Sequence, residues 1–305
     1  RRGRPGLGAR IPGRDRGRLM RATPSPMPVC FPPVRDELLS SWIGRHAIFY
    51  NVSPLAVLHH AVPNLRSLKA ADLDLTQDQA EAFAIMFRTT ATAVFGMTFA
   101  TAPEATRRLI SSRVMQECQT CSTQHTQDAP VLRSQLQGWR ITCPTCDGLL
   151  HDPDGLESQL SPNLLWRGAS KGEQLLHREA HDGSRHWISP AVVARLLLVP
   201  RFVRWGPDRG DYRRARMLGL VIPEFDRIAM EEPSNIANSG KPILPLHLRP
   251  FLLAGVAVVL ESGPEMLDLL RRHAIGVRRE LFDAFAAEAI IQWVSVRAQS
   301  QKQLI

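Results

Sequence analysis

Four cysteines in two pairs constrain this chain more than any other feature. They stand as Cys118-Gln119-Thr120-Cys121 and Cys143-Pro144-Thr145-Cys146, with twenty-one residues between the pairs. That gap is just beyond the roughly 15–20 residues usual in a four-cysteine zinc site. Each C-x2-C turn lets two thiolates point at one ion, and two such turns complete a tetrahedron. A closed four-thiolate set leaves no open position for water, so the implied zinc, one per chain, is structural rather than catalytic. Between the pairs, Gln137-Gly138-Trp139-Arg140-Ile141-Thr142 reads as a strand delivering the second turn, and Gly148 closes it. The pattern is that of a zinc ribbon. Two disulfides or a redox-active pair are the alternatives. Disulfides need an oxidising compartment, and no secretory signal stands out in the sequence. A thioredoxin-like pair needs a strand–helix context that surrounds neither knuckle. His125 and His151 flank the ribbon, as substitute ligands or as exposed side chains, and Cys30 beside Phe31 reads as a lone thiol.

Net charge is a poor guide to partners here. Lys and Arg number 38 against 29 Asp and Glu, a formal +9, yet residues 1–21 hold eight Arg against Asp15 alone. The remaining 284 residues are close to neutral. Residues 1–26 carry five Gly and four Pro and offer almost nothing to bury, so disorder is expected there. They read either as a basic arm that grips nucleic acid or as an upstream extension, with translation starting at Met27 or Met20. Elsewhere the composition, 44% apolar and 22% charged, is that of an ordinary globular protein. The longest apolar run, Phe251 to Leu260, covers ten residues, about half of a membrane span. The expectation is a soluble, cytoplasmic protein with no membrane partner.

Most of the chain has helical periodicity. Asp36-Glu37 opens a first helix with apolar residues at 38, 39, 42 and 43, and Asn51-Val52-Ser53-Pro54 stops it and starts a second. Ser53 is the expected N-cap and Pro54 the first helical residue. Trp42 is expected to fill the core between these two helices. Further helices follow Thr76 and Pro103. Residues 150–185 read as loop, punctuated by Gly, before helices near 190–199, 209–219, 247–261, 264–274 and 277–299. The predicted organisation is mostly α: a helical unit over 27–112, an inserted zinc ribbon over 113–155 and an all-α C-terminal half over 156–305.

A second candidate site is basic and aromatic. Arg185, Arg195, Arg201, Arg204, Arg209, Arg213, Arg214 and Arg216 are interleaved with Trp187, Phe202, Trp205 and Tyr212, against only Asp208 and Asp211. Clustered Arg with aromatics suits phosphate contacts and base stacking. It also suits ordinary surface packing. A catalytic reading has less to stand on. His177-Arg178-Glu179-Ala180-His181 sets two His one turn apart, a spacing that can hold a metal. Arg178, however, stands where H-E-x-x-H has its Glu. No phosphate-cradling glycine loop and no nucleophile elbow are present, and the chain is not expected to be an enzyme.

The opening Leu38-Leu39-Ser40-Ser41-Trp42-Ile43-Gly44-Arg45, then Asn51-Val52-Ser53-Pro54, then Cys118-Gln119-Thr120-Cys121, Trp139 and Cys143-Pro144-Thr145-Cys146 resemble, in order and spacing, the TniQ family. The resemblance covers about residues 27–155. Two departures stand out: Val34-Arg35-Asp36-Glu37 lacks the glycine of the family's opening, and Cys146 takes a position commonly held by His. The resemblance implies a helix-turn-helix-like pair at the start. It also implies a non-catalytic role in DNA transposition, selecting or recruiting the target site and bridging to an AAA+ ATPase. Target DNA is then a second partner and a homodimer a further one. Arg35, Arg45 and Arg140 are the polar positions expected on the docking face, and the C-terminal half is not covered. Two other functions stay open: a zinc-ribbon transcription regulator that binds DNA through helix-turn-helix units, and a metal-dependent hydrolase using His177 and His181.

Overall fold

The computed structural model describes residues 24–122, 129–153, 165–183, 185–204, 212–231, 240 and 242–287. Most of the basic extension expected over 1–26 lies outside them. The described chain is mostly helical, and its one sheet has two strands.

Local signals start several helices where the sequence places them. Ser53 Oγ accepts from Ala56 N at 3.1 Å, and Pro54 opens α2 (Pro54–Ala61). The helix before it, α1 (Leu39–Phe49), begins later than its acids suggest. Asp36 is left-handed at φ 63° and Glu37 is buried ahead of the helix. The open N-terminus of α1 is capped from a distance instead. Asp72, on α3 (Leu68–Leu73), accepts from Ser40 N at 2.9 Å. A capping box of Thr76 and Gln79 starts α4 (Gln77–Phe87), and Thr90 caps α5 (Ala91–Gly96). These five helices enclose a first core around Leu39, Ile43, Leu58, Phe83 and Phe87. Trp42 fills it as expected: the indole lies 4.3 Å from the Phe87 ring, and Nε1 donates to the Phe31 carbonyl at 3.0 Å.

Asp72 makes this core sensitive to pH. Burial pushes its carboxyl up to about 6, only partly opposed by the hydrogen bonds from Ser40. A carboxyl that holds its proton more tightly when folded stabilises the fold fully below its unfolded value of 3.8, and loses that contribution as pH rises through about 6. Asp72→Asn keeps the acceptor and drops the charge. Unfolding measured between pH 4 and 7 should then be more stable for the variant at pH 7. It should also lack a downward slope of up to about 1.4 kcal/mol per pH unit. Parallel pH profiles would exclude Asp72 as the titrating group.

After α6 (Glu104–Arg107), α7 (Gln119–Ser122) and α8 (Arg133–Leu136), the chain builds a second core around one apolar helix. That helix is α13 (Arg249–Ser262), packed by α9 (Leu165–Asp182), α10 (Pro190–Leu197) and α11 (Leu218–Val221). The hairpin of β1 (Pro200–Arg204) and β2 (Tyr212–Arg216) pairs antiparallel with Arg201 opposite Ala215. Next to it is α12 (Pro223–Glu231); α14 (Pro264–Arg272) follows α13 and packs on it, and residues 277–287 are helical. Two expectations are corrected here. The stretch read as loop over 150–185 contains α9, whose Gly172 is a packing requirement rather than a break. A Cβ at that position would overlap the Leu253 carbonyl of α13, so only glycine lets the two helices cross this closely. The helix expected over 209–219 is, from Tyr212 on, β2 followed by α11, and residues 209–211 lie outside the described residues. In β2, Ala215 is buried, 5% exposed, and Arg216 beside it is half-buried.

A third difference concerns domain organisation. Cys118, Trp139, Ile141, Cys143 and Leu150 belong to the same core as α9, α10 and α13. The segment expected as a unit of its own over 113–155 is thus continuous with the C-terminal half. It also touches the first core's helices along a seam, where Leu38 N donates to Val131 O at 2.9 Å and Ser134 N to the Asp36 carboxylate at 2.9 Å.

Candidate metal centre

Two short backbone pairings bring the cysteine turns together. Glu117 pairs with His151, and Thr142 with Leu149, so the residue before Cys118 and the residue before Cys143 are each fixed in a ladder. Cys121 follows on the single turn α7. The second turn is closed by Cys143 N donating to Gly148 O at 2.8 Å, with Asp147 left-handed at φ 57°. Thr145 N points at Cys143 Sγ from 3.4 Å, the N–H···S contact of a thiolate turn. The strand expected over 137–142 is reduced to isolated bridges.

The four sulfur atoms lie within 4.8 Å of one another, with Cys118 Sγ 3.4 Å from Cys146 Sγ and Cys121 Sγ 3.9 Å from Cys143 Sγ. A tetrahedral ion with metal–sulfur bonds of about 2.3 Å requires sulfur–sulfur edges of about 3.8 Å. The set fits one metal ion. Burial works against the Cys118 thiolate, but hydrogen bonds from the Cys121 backbone N–H and the neighbouring thiols bring it down to about 7. Burial, then those same thiols, push Cys121 up to about 12. Four thiolates crowded together resist joint ionisation, and a dication removes that resistance. Among the described residues no other group of His, Cys, Asp and Glu could hold a metal. His151 takes part through its backbone, and His125 lies outside the described residues. Cys30 is a lone half-buried thiol.

Three residues that no local pattern singles out support the site. Glu173 of α9, 3% exposed, accepts from the Thr142 hydroxyl at 2.9 Å and from Ile141 N at 3.3 Å. Gln116 Nε2 donates to the carbonyls of Ser134 (2.6 Å) and Gln137 (2.9 Å). Arg249, fully buried at the start of α13, donates to Gln116 Oε1 at 2.9 Å, to the Arg140 carbonyl and to Leu244 O at 3.2 Å. These contacts tie the residues just before each cysteine turn to the helices behind them.

Two of the three residues expected on a docking face are committed elsewhere. Arg35 is exposed. Arg45 closes on buried Glu37 with two bonds of 2.7 Å. Arg140 is held by Gln137 Oε1 (2.9 Å), Glu173 (3.4 Å) and His177 Nδ1 (2.9 Å). Burial first, then the charges of Arg140 and His181, push His177 down to about 3, and its ring lies 4.4 Å from that of His181.

The arginine cluster does not form one exposed stripe. Arg195 is 2% exposed with its guanidinium 4.0 Å from the centre of the Phe285 ring, which removes it as a nucleic-acid contact. Arg201 pairs with Asp226 and donates to Arg216 O at 2.8 Å. Arg216 is half-buried and Arg185 is exposed beside Asp182. Trp205 and Arg209 lie outside the described residues, as do the side chains of Arg204, Arg213 and Arg214. Among the described residues no single helix is long and apolar enough to cross a membrane. In comparisons with family models, curated proteins and solved structures, nothing matches this chain.

Proposed function

We propose that the protein is a non-catalytic accessory of DNA transposition, similar to the TniQ family, that recruits a target site and docks on an AAA+ ATPase. Its four cysteines hold one structural zinc in a ribbon-like unit. The observation that carries this reading is the cysteine set. Four thiols gathered within 4.8 Å of one another follow a helical unit whose Leu38–Arg45 and Asn51–Pro54 motifs stand in the order that family uses. A thiolate-only tetrahedron selects zinc over the harder divalent ions and leaves no coordination site for chemistry. In this reading α1 and α2 are the helix-turn-helix-like pair, and target DNA is a second partner.

With Arg45 and Arg140 turned inward, the docking face moves to the corner between α1 and α2. Ile48 (65% exposed), Phe49 (56%), Val52 and Leu55 form an exposed apolar group there, and such groups mark interaction surfaces. The test is co-purification with the AAA+ ATPase encoded beside the gene, with and without DNA. Ile48→Asp should weaken the complex tenfold or more while leaving the melting temperature within about 2 °C, since its side chain already faces water. If the folded, zinc-loaded parent fails to bind the ATPase in both conditions, the recruiter reading is wrong. A regulator that binds DNA directly then takes its place.

A further inference from the structure

The outer face of α9 separates its charges in an unusual way. Both of its glutamates, Glu173 and Glu179, are buried (3% and 2% exposed) and receive hydrogen bonds from Thr142 and from Ala191 N. Its cations remain outside. Arg167, Lys171, Gln174 and Arg178 are exposed along one side. They line an open groove of about 440 Å³ together with Ser170 and Trp166. Arg167 and Lys171 are one turn apart and Arg178 is two turns further, so the three charges run over about 16 Å of helix axis.

We propose that this groove binds a single strand of nucleic acid, with phosphates on Arg167, Lys171 and Arg178 and a base stacked on Trp166. A row of three cations is the electrostatic complement of a phosphate chain; the exposed acid of α9 itself, Asp182, stands one turn beyond Arg178 at the helix end, 3.9 Å from Arg185. One acid does reach it from another element: Glu261 of α13 pairs with Lys171, both about half exposed. An exposed pair of this kind is weak and exchanges readily for a phosphate. The indole decides between a single strand and a duplex. Trp166 is half-buried and packed against the second core, which fixes its ring at the groove's end, and a fixed aromatic face is useful only to an unstacked base. Ser170 and Gln174 add neutral hydrogen-bonding groups between the cations. The inference does not rest on the transposition reading, because the groove's charge and shape stand without any ATPase partner.

The experiment is fluorescence anisotropy with the full chain and three labelled probes: a 20-nucleotide oligo-dT, a 20-base-pair duplex and a polyglutamate peptide, each at several salt concentrations. Any contribution from the basic N-terminal segment is present in both the parent and the variant. Arg167→Ala, Lys171→Ala and Arg178→Ala together should weaken oligo-dT binding tenfold or more. They should also make its salt slope shallower by about 2, as three lost single-strand phosphate contacts require. The melting temperature should hold, because these side chains face water. Trp166→Leu should reduce oligo-dT affinity without changing the salt slope, a split that mere loss of folding would not give. Unchanged affinity and slope in the triple variant would overturn the proposal. So would tighter binding to the duplex than to oligo-dT, or equal loss of polyglutamate and oligo-dT binding, which would make the groove an acidic-peptide site.

Discussion

Chelating the metal, or replacing Cys143 with Ser, should unfold the second core and leave the first one folded. Cys118 and Cys143 are 7% and 4% exposed, inside the core that also holds Ile141, Leu150 and helices α9, α10 and α13. Among the described residues, the segment around them has no long strand or helix of its own. An ion held by the four thiolates would therefore supply its order, since in such units metal binding is folding free energy. Losing one of four thiolates should cost on the order of 5 kcal/mol, a large part of the roughly 5–15 kcal/mol that keeps a domain folded. Because the second core is continuous with the cysteine turns, the damage should spread beyond residues 113–153. The helices around Trp42 and Phe87 keep separate packing and should retain their own transition. Calorimetry of the zinc-loaded parent, the chelated protein and Cys143→Ser measures this directly, alongside zinc content, expected at one per chain. Cys30→Ser is the control. Cys30 packs at the edge of the first core, with its sulfur 3.8 Å from the Met27 and Met86 carbonyls, and serine is close to it in size, so both transitions should stay in place. A parent without zinc, or a metal-free protein that melts like the parent, would end the structural-zinc reading.

What the sequence could reveal follows from how local each signal is. The thiol set and the cap at Ser53 are short-range chemistry, in which spacing alone decides geometry, and they stand where that spacing puts them. Gly168 and Gly172 looked like punctuation because glycine is a poor helix former. Their purpose appears only once α13 lies against them. Charged residues were the hardest to place. Arg45, Arg140, Arg195 and Arg201 read as solvent-facing. Each instead meets a partner 8 or more residues away: Glu37, Glu173, Phe285 and Asp226. No periodicity encodes those pairings. The groove on α9 was hidden for the converse reason, since Glu173 and Glu179 appear to neutralise its cations until both are found buried.

Arg249→Ala should be the most damaging substitution outside the cysteines. The side chain is fully buried, and burial, opposed by the charges of Asp152 and Glu173, lowers its pKa to about 10, so it remains cationic at neutral pH. Its role is to satisfy two buried acceptors, Gln116 Oε1 and Leu244 O, and the partly buried Arg140 carbonyl. Truncation leaves these three acceptors without their donor and opens a cavity the size of a long side chain. At about 1–3 kcal/mol for each buried unsatisfied group, the loss should reach about 4 kcal/mol, even after the desolvation of the guanidinium is relieved. Arg249→Met refills the cavity but not the hydrogen bonds and should fall between Ala and the parent. Arg249→Lys keeps the charge, yet a single ammonium cannot span three separated acceptors as a planar guanidinium does, so it should not restore the parent's stability. A second readout separates this role from general packing. Gln116 lies two residues before Cys118 and Arg140 three before Cys143, so loosening them should also weaken zinc retention against a competing chelator, about tenfold or more for a supporting residue of this kind. A volume-matched packing defect elsewhere in the second core, such as Leu196→Ala at a fully buried position on α10, should lower the melting temperature and leave zinc retention within twofold. If Arg249→Ala unfolds within about 1 kcal/mol of the parent, or loses no more zinc than Leu196→Ala, then Arg249 does not tie the metal site to α13.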